Sequence, residues 1–122
     1  MNGEQVRAYF FSRPETLEAF PFGLEPPVFK IKGKMFGFMW KKDNLTCINL
    51  KCDPDEARML REIFEAVIRG WHMNKEHWNT VLLDTSIPRQ DIERMIDVSY
   101  GLVINKLKKM SVWDWSQSMA NG

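Results

Sequence analysis

Both histidines of the chain fall within ten consecutive residues, His72-Met73-Asn74-Lys75-Glu76-His77-Trp78-Asn79-Thr80-Val81. Imidazoles, a carboxylate, a lysine and two asparagines this close suit three kinds of chemistry: metal ligation, catalysis, and recognition by a projecting tip. The metal reading adds Cys47 and Cys52 to give C-x4-C-x19-H-x4-H, superficially a Cys2His2 zinc pattern. Its spacing works against it. The central gap is too long for a compact finger, and the odd separation of the cysteines puts their side chains on opposite sides of an unbroken strand. The same geometry, with a reducing compartment, argues against a disulfide.

The catalytic reading fares no better. His72, Glu76 and His77 carry one residue too many for H-x-x-E-H, and on a helix the two histidines would stand about 140° off a common face. No G-x-S-x-G, P-loop or G-x-G-x-x-G occurs. Cys52 could serve as a nucleophile only if the fold brought a histidine to it. The residues therefore predict no catalytic group, no cofactor and no metal.

The third reading is a binding surface. Lys41 and Lys42 precede Asp43-Asn44 on one polar connection, and Lys75 and His77 lie on another. If both project the same way, two basic tips could straddle a phosphate backbone, with Asn44, Asn74 or Asn79 reaching base edges. The expected contact set is Lys41, Lys42, Asn44, Arg69, Asn74, Lys75 and His77. The partner would be double-stranded DNA, held weakly and in a salt-sensitive way. Asp43 and Glu76 dilute the charge of these loops. A competing reading is a protein-interaction or chaperone-like module that uses an exposed sheet or the tail carrying Trp113 and Trp115.

Composition fits a single domain over residues 1–122. Seventeen basic and 16 acidic residues give a net charge of +1, which excludes a strongly basic nucleic-acid arm but not a local basic face. At 44% hydrophobic and 27% charged the chain is globular, long enough to bury a core without staples. No apolar run reaches the ~18 residues a membrane span needs, and no signal peptide is evident, so a cytoplasmic location is expected.

The elements that must position these residues follow from periodicity and turn chemistry. Residues 4–12 suit a short helix with Val6, Tyr9 and Phe10 on one side. Five residues of 13–27, Pro14, Pro21, Gly23, Pro26 and Pro27, argue against regular structure there, while Leu17, Phe20 and Phe22 are expected to pin the segment to the core. Strands are expected at 28–32, at 35–40 with Phe36, Phe38 and Trp40 on one face, and at 45–51. A helix should start at Asp53, capped with the help of Glu56, carry Met59, Leu60, Ile63, Phe64 and Val67 on one face, and stop at Gly70. Two short strands around 74–77, with Trp78 packed on the sheet, precede a helix from about Pro88 to Lys109. That helix should carry Ile92, Met95, Ile96, Val103, Leu107 and Met110 as its stripe. Local runs of strands without βαβ alternation predict an α+β domain with helices on an antiparallel sheet.

Pro21-Phe22-Gly23, Lys34-Met35-Phe36, Asn49-Leu50-Lys51-Cys52-Asp53-Pro54, the block from His72 to Val81, and Ser99-Tyr100 occur in this order over nearly the whole chain. In these the sequence resembles the MmcQ/YjbR-like family of small bacterial proteins, and only the tail after about residue 110 looks private. The resemblance implies a two-layer α-β3-α-β2-α fold of the secretion-chaperone-like class. It also implies a double-wing DNA-binding motif, with wings at 41–44 and 74–77, and neither enzyme activity nor a metal.

Overall fold

The structure is a computed structural model; it describes residues 1–21, 23, 26–71 and 73–121, with side chains as far as Lys109. Its elements are helix α1 (Gly3–Ser12), strands β1 (Thr16–Ala19), β2 (Val28–Ile31), β3 (Lys34–Lys42) and β4 (Leu45–Lys51), helix α2 (Pro54–Ile63), strands β5 (Val67–Arg69) and β6 (Trp78–Leu82), and helix α3 (Arg89–Asn121). All strand pairs are antiparallel, in one sheet of order β1-β2-β3-β4-β6-β5. The expected α+β class holds, with one strand more among the described residues than expected.

The extra strand is β1, in the proline-rich segment read as irregular. The prolines flank it rather than enter it, so Thr16–Ala19 can pair with β2 at the edge of the sheet. Leu17, expected to be a pin, is 69% exposed there, and Phe20 is exposed as well. Phe22 lies outside the described residues.

The core forms between one face of the sheet and the helices. Phe10 of α1 stacks on Phe29 with ring centroids 4.2 Å apart and meets the edge of Phe36 at 5.6 Å. From α3, Ile92, Met95, Ile96 and Val103 are buried in the same cluster. Ser99 joins this helix to the sheet: its hydroxyl donates to the Phe36 carbonyl (2.6 Å) and accepts from the Lys51 N–H (2.9 Å). Tyr100 donates to the Pro14 carbonyl at 2.7 Å, holding the start of the proline-rich segment. The Ser99-Tyr100 pair, one of the pieces that carry the family resemblance, thus fastens helix to sheet.

Phe36, Phe38 and Trp40 do not share a face. Phe29 pairs with Gly37 and Lys30 with Met35, which leaves Phe36 as the extra residue of a β-bulge. The bulge turns both Phe36 and Gly37 toward the helices, and a Cβ on Gly37 would sit 2.3 Å from the Phe10 ring. From there alternation resumes: Phe38 and Trp40 fall on the opposite face, in register with Asn49 and Cys47 of β4.

α2 also departs from expectation. Asp53 occupies the N-cap position, but its side chain makes no capping hydrogen bond. The reciprocal capping box stands instead on α1, between Asn2 and Gln5. Ala57 is buried and Leu60 and Phe64 pack on the core, whereas Met59 and Ile63 point to solvent. The helix ends at Ile63, well before Gly70. Gly70 lies instead where the chain passes Trp78 so closely that a Cβ would meet its backbone at 2.7 Å. The backbone of α3 runs on to Asn121, beyond the expected end at Lys109. The rings of Trp113 and Trp115 and the side chain of Met110 lie outside the described residues. No helix among the described residues is long and apolar enough to cross a membrane.

Candidate binding surface

The β3–β4 connection is tighter than a four-residue loop. Lys42 still pairs with Leu45, and only Asp43 and Asn44 turn, with φ of 51° and 70°. Two consecutive left-handed residues make the turn type whose twist matches a β-hairpin, and Asp and Asn tolerate it best after glycine. Asn44 is therefore needed for the turn itself. Lys41 and Lys42 are exposed on the last two positions of β3 and, by strand alternation, lean to opposite faces of the hairpin.

The second expected tip is built by its own hydrogen bonds. Asn74 Oδ1 accepts from the Glu76 N–H, and its carbonyl accepts from the His77 N–H. Asn74, Lys75 and His77 are exposed, as is Arg69 at the end of β5. Asn79 is buried: its Nδ2 donates to the Ala57 carbonyl and its Oδ1 accepts from Arg61. It pins α2 and cannot read a base edge. His72 lies outside the described residues.

Register places the two tips at opposite ends of β4. The β3–β4 turn follows from the Lys42–Leu45 pair, whereas the 74–77 loop leads into Trp78, which pairs with Lys51 at the other end of β4. The Cys52 N–H donates to the His77 carbonyl at 2.8 Å, so this loop sits beside the start of α2. Six residue steps along β4 separate the two ends, about 20 Å. The seven expected contact residues are not brought together.

A different surface is brought together. β2 pairs with β3 only as far as Val28–Phe38, while β3 continues to Lys42. Around this projecting edge an open cleft of about 1490 Å³ is lined by the first turn of α1, the segment leading into β2, and residues of β3 from both faces of the sheet. Pro21, Pro26, Pro27, Phe20, Phe38, Trp40 and Trp71 give it apolar walls. Among the described residues that line it, Arg7, Lys30, Lys34, Lys41 and Lys42 are basic and Glu4 and Glu18 acidic, and Arg7 and Glu18 engage each other in an ion pair of 2.8 Å. The cleft is thus locally basic in a chain of almost balanced charge.

A buried polar cluster fixes the aromatic wall. Asn49 is fully buried; its Oδ1 accepts from Trp40 Nε1 (3.0 Å) and the Thr80 hydroxyl (2.7 Å), and its Nδ2 donates to the Trp71 carbonyl (2.9 Å). The Trp71 N–H donates to Thr80 Oγ1 at 3.0 Å. The Trp40 and Trp71 rings consequently stack at 4.5 Å. Sequence reasoning missed this cluster. Its one sign was Asn49, a polar residue between Ile48 and Leu50 in a buried strand.

The cysteines lie on different faces, as their spacing predicts: Cys47 is in register with Trp40, and Cys52 lies beneath α2 and α3 with Leu60, Met95 and Val98. Burial, with the charges of Glu56 and Asp53 behind it, pushes the Cys52 thiol up to about 11, which keeps it a thiol near neutrality. Among the described residues no group of three or more His, Cys, Asp and Glu side chains is placed to hold a metal ion.

Comparison with known proteins agrees with this architecture. The YjbR family model matches residues 11–102. The uncharacterized protein YbdF of Escherichia coli O157:H7 is 37% identical over 89 residues, 73% of each chain. The uncharacterized protein YjbR of Escherichia coli K12 is 28% identical over 107 residues, 88% of this chain and 91% of that one. Among solved structures, a DUF419-domain protein of Deinococcus radiodurans is 32% identical with a TM-score of 0.76, over 84% of this chain and 78% of that one. A Pseudomonas syringae protein is 27% identical with a TM-score of 0.74, over 84% and 98%.

Proposed function

The chain belongs to the YjbR family, and from that premise we propose that it is a non-enzymatic binding domain for DNA whose contact surface is the cleft and the Lys41–Lys42 hairpin beside it. The observation that carries this reading is the concentration, among the described residues, of five basic side chains against two acidic ones around one concave, partly aromatic surface. Phosphates need only a handful of Lys or Arg partners, and local charge governs their approach more than net charge does. The 74–77 tip follows Met73, which lines the cleft, but none of its own residues does.

The test is a fluorescence-anisotropy titration of labelled DNA at low salt. Lys41→Glu combined with Lys42→Glu reverses two charges on the rim and is expected to weaken binding by roughly a hundredfold, at about one decade for each phosphate partner replaced by an opposing charge. Lys75→Glu is expected to change it less than threefold, about the effect of a distant surface charge at moderate screening. No binding by the unaltered protein at low salt removes the reading.

A second reading, a protein-interaction module, draws on exposed apolar side chains away from the cleft. Met59 and Ile63 stand one turn apart on α2, and Leu17 projects from the edge strand β1. Cross-linking and pull-down with Ile63→Glu tests it; an unchanged set of captured proteins counts against it.

A further inference from the structure

We infer that the cleft is shaped for a single strand of nucleic acid, its bases packed on the aromatic wall and its phosphates on the lysines of the rim. This rests on the DNA-binding reading and specifies the form of the partner. Two observations favour a strand over a duplex. The basic loops at 41–44 and 74–77 stand at opposite ends of β4, so they do not form a pair of wings side by side on one double helix. In addition, the surface that does combine cations with concavity is aromatic inside: Phe38, Trp40 and Trp71 line it, and Trp71 is 50% exposed.

A duplex hides its base faces within the stack and offers the protein phosphates and groove edges. Aromatic side chains in a groove flanked by cations are the arrangement that unpaired bases use, because every base has a π-face to lay against a ring. Here Lys42 stands on the same face as Phe38 and Trp40, and Lys34 and Lys41 add charge to the lining around the strand edge. The wall is preorganised: the indole N–H of Trp40 and both backbone groups of Trp71 are bound to Asn49 and Thr80, so little ordering remains to be done on binding. Recognition would be tolerant of sequence, since the base-contacting groups are rings and the buried amide of Asn49 is already engaged on both its oxygen and its nitrogen.

The experiment compares a labelled oligothymidine of about 12 nucleotides, a length within the range such grooves cover, with a duplex of equal length, by anisotropy at low salt. The strand is expected to bind at least about tenfold more tightly than the duplex, the contribution of one or two stacked bases. Trp71→Ala removes the ring and leaves its backbone anchors; it is expected to weaken strand binding by roughly tenfold, while Trp71→Phe restores most of it. Circular dichroism and thermal melting of both variants establish that they are folded. A duplex bound as tightly as the strand overturns the inference and leaves the DNA-binding reading standing. So does strand binding that falls with Lys41→Glu and Lys42→Glu but is indifferent to Trp71→Ala in a folded protein, because the strand is then held by its phosphates alone. If neither form binds, both readings fall together.

Discussion

In the sequence Cys52 stands at the head of a helix and could act as a nucleophile only if the fold brought a histidine to it. The fold gives it a different setting. It is buried beneath α2 and α3, and its thiol is raised from 9.0 to about 11. A proton held more tightly in the folded than in the unfolded chain stabilises the fold below the unfolded value and ceases to do so as pH rises through the folded one. Stability is therefore expected to fall between about pH 9 and 11, by on the order of 2–3 kcal/mol at about 1.4 kcal/mol per pH unit. Urea unfolding across that range should show the decline, and Cys52→Ala should flatten it. An identical slope in the variant would assign the decline to other groups. Asn79 teaches the same lesson: its neighbours in the sequence suggest recognition, and its bonds to Ala57 and Arg61 make it part of the joint between α2 and the sheet.

At the scale of elements, periodicity and turn chemistry made β2, β3, β4, α2 and the start of α3 legible, since each has a clean apolar pattern or a strong punctuating residue. They failed where tertiary packing overrode a local rule. β1 was hidden because prolines on both sides of Thr16–Ala19 dominate the segment, although none falls within it. The bulge at Phe36 was hidden because alternation alone cannot show an extra residue, and it is this bulge that sends Phe38 and Trp40 to the cleft. Gly37 is the residue that makes the bulge packable: α1 approaches until Phe10 fills the space of a side chain. Gly37→Ala forces that ring to move within the stack on Phe29, and an overpacked core of this kind costs roughly 1–3 kcal/mol. Thermal melting should register the loss, and Phe10→Leu in the same chain should recover part of it. An unchanged melting temperature for Gly37→Ala would show that α1 sits less closely on β3.

For the whole molecule, the topology decides which charges can act together. The basic residues singled out in the sequence are all exposed where the structure describes them, but they occupy two ends of β4. Their separation could not be read from the sequence because it depends on which strands pair: β6 lies antiparallel beside β4, and so its leading loop falls at the far end from the β3–β4 turn. The cleft, by contrast, gathers residues from α1, β2, β3 and the chain after β5 that no motif connects. Asn49 holds its aromatic wall, and the hairpin lysines stand at its rim. An NMR titration that follows backbone amides and tryptophan indoles as DNA is added distinguishes contact at this cleft from contact at the 74–77 tip. Shifts are expected at the Trp40 and Trp71 indoles and at the amides of Lys41 and Lys42, with Lys75 and His77 unmoved. Shifts centred on Lys75 and His77 with the Trp40 and Trp71 signals unchanged would contradict contact at the cleft.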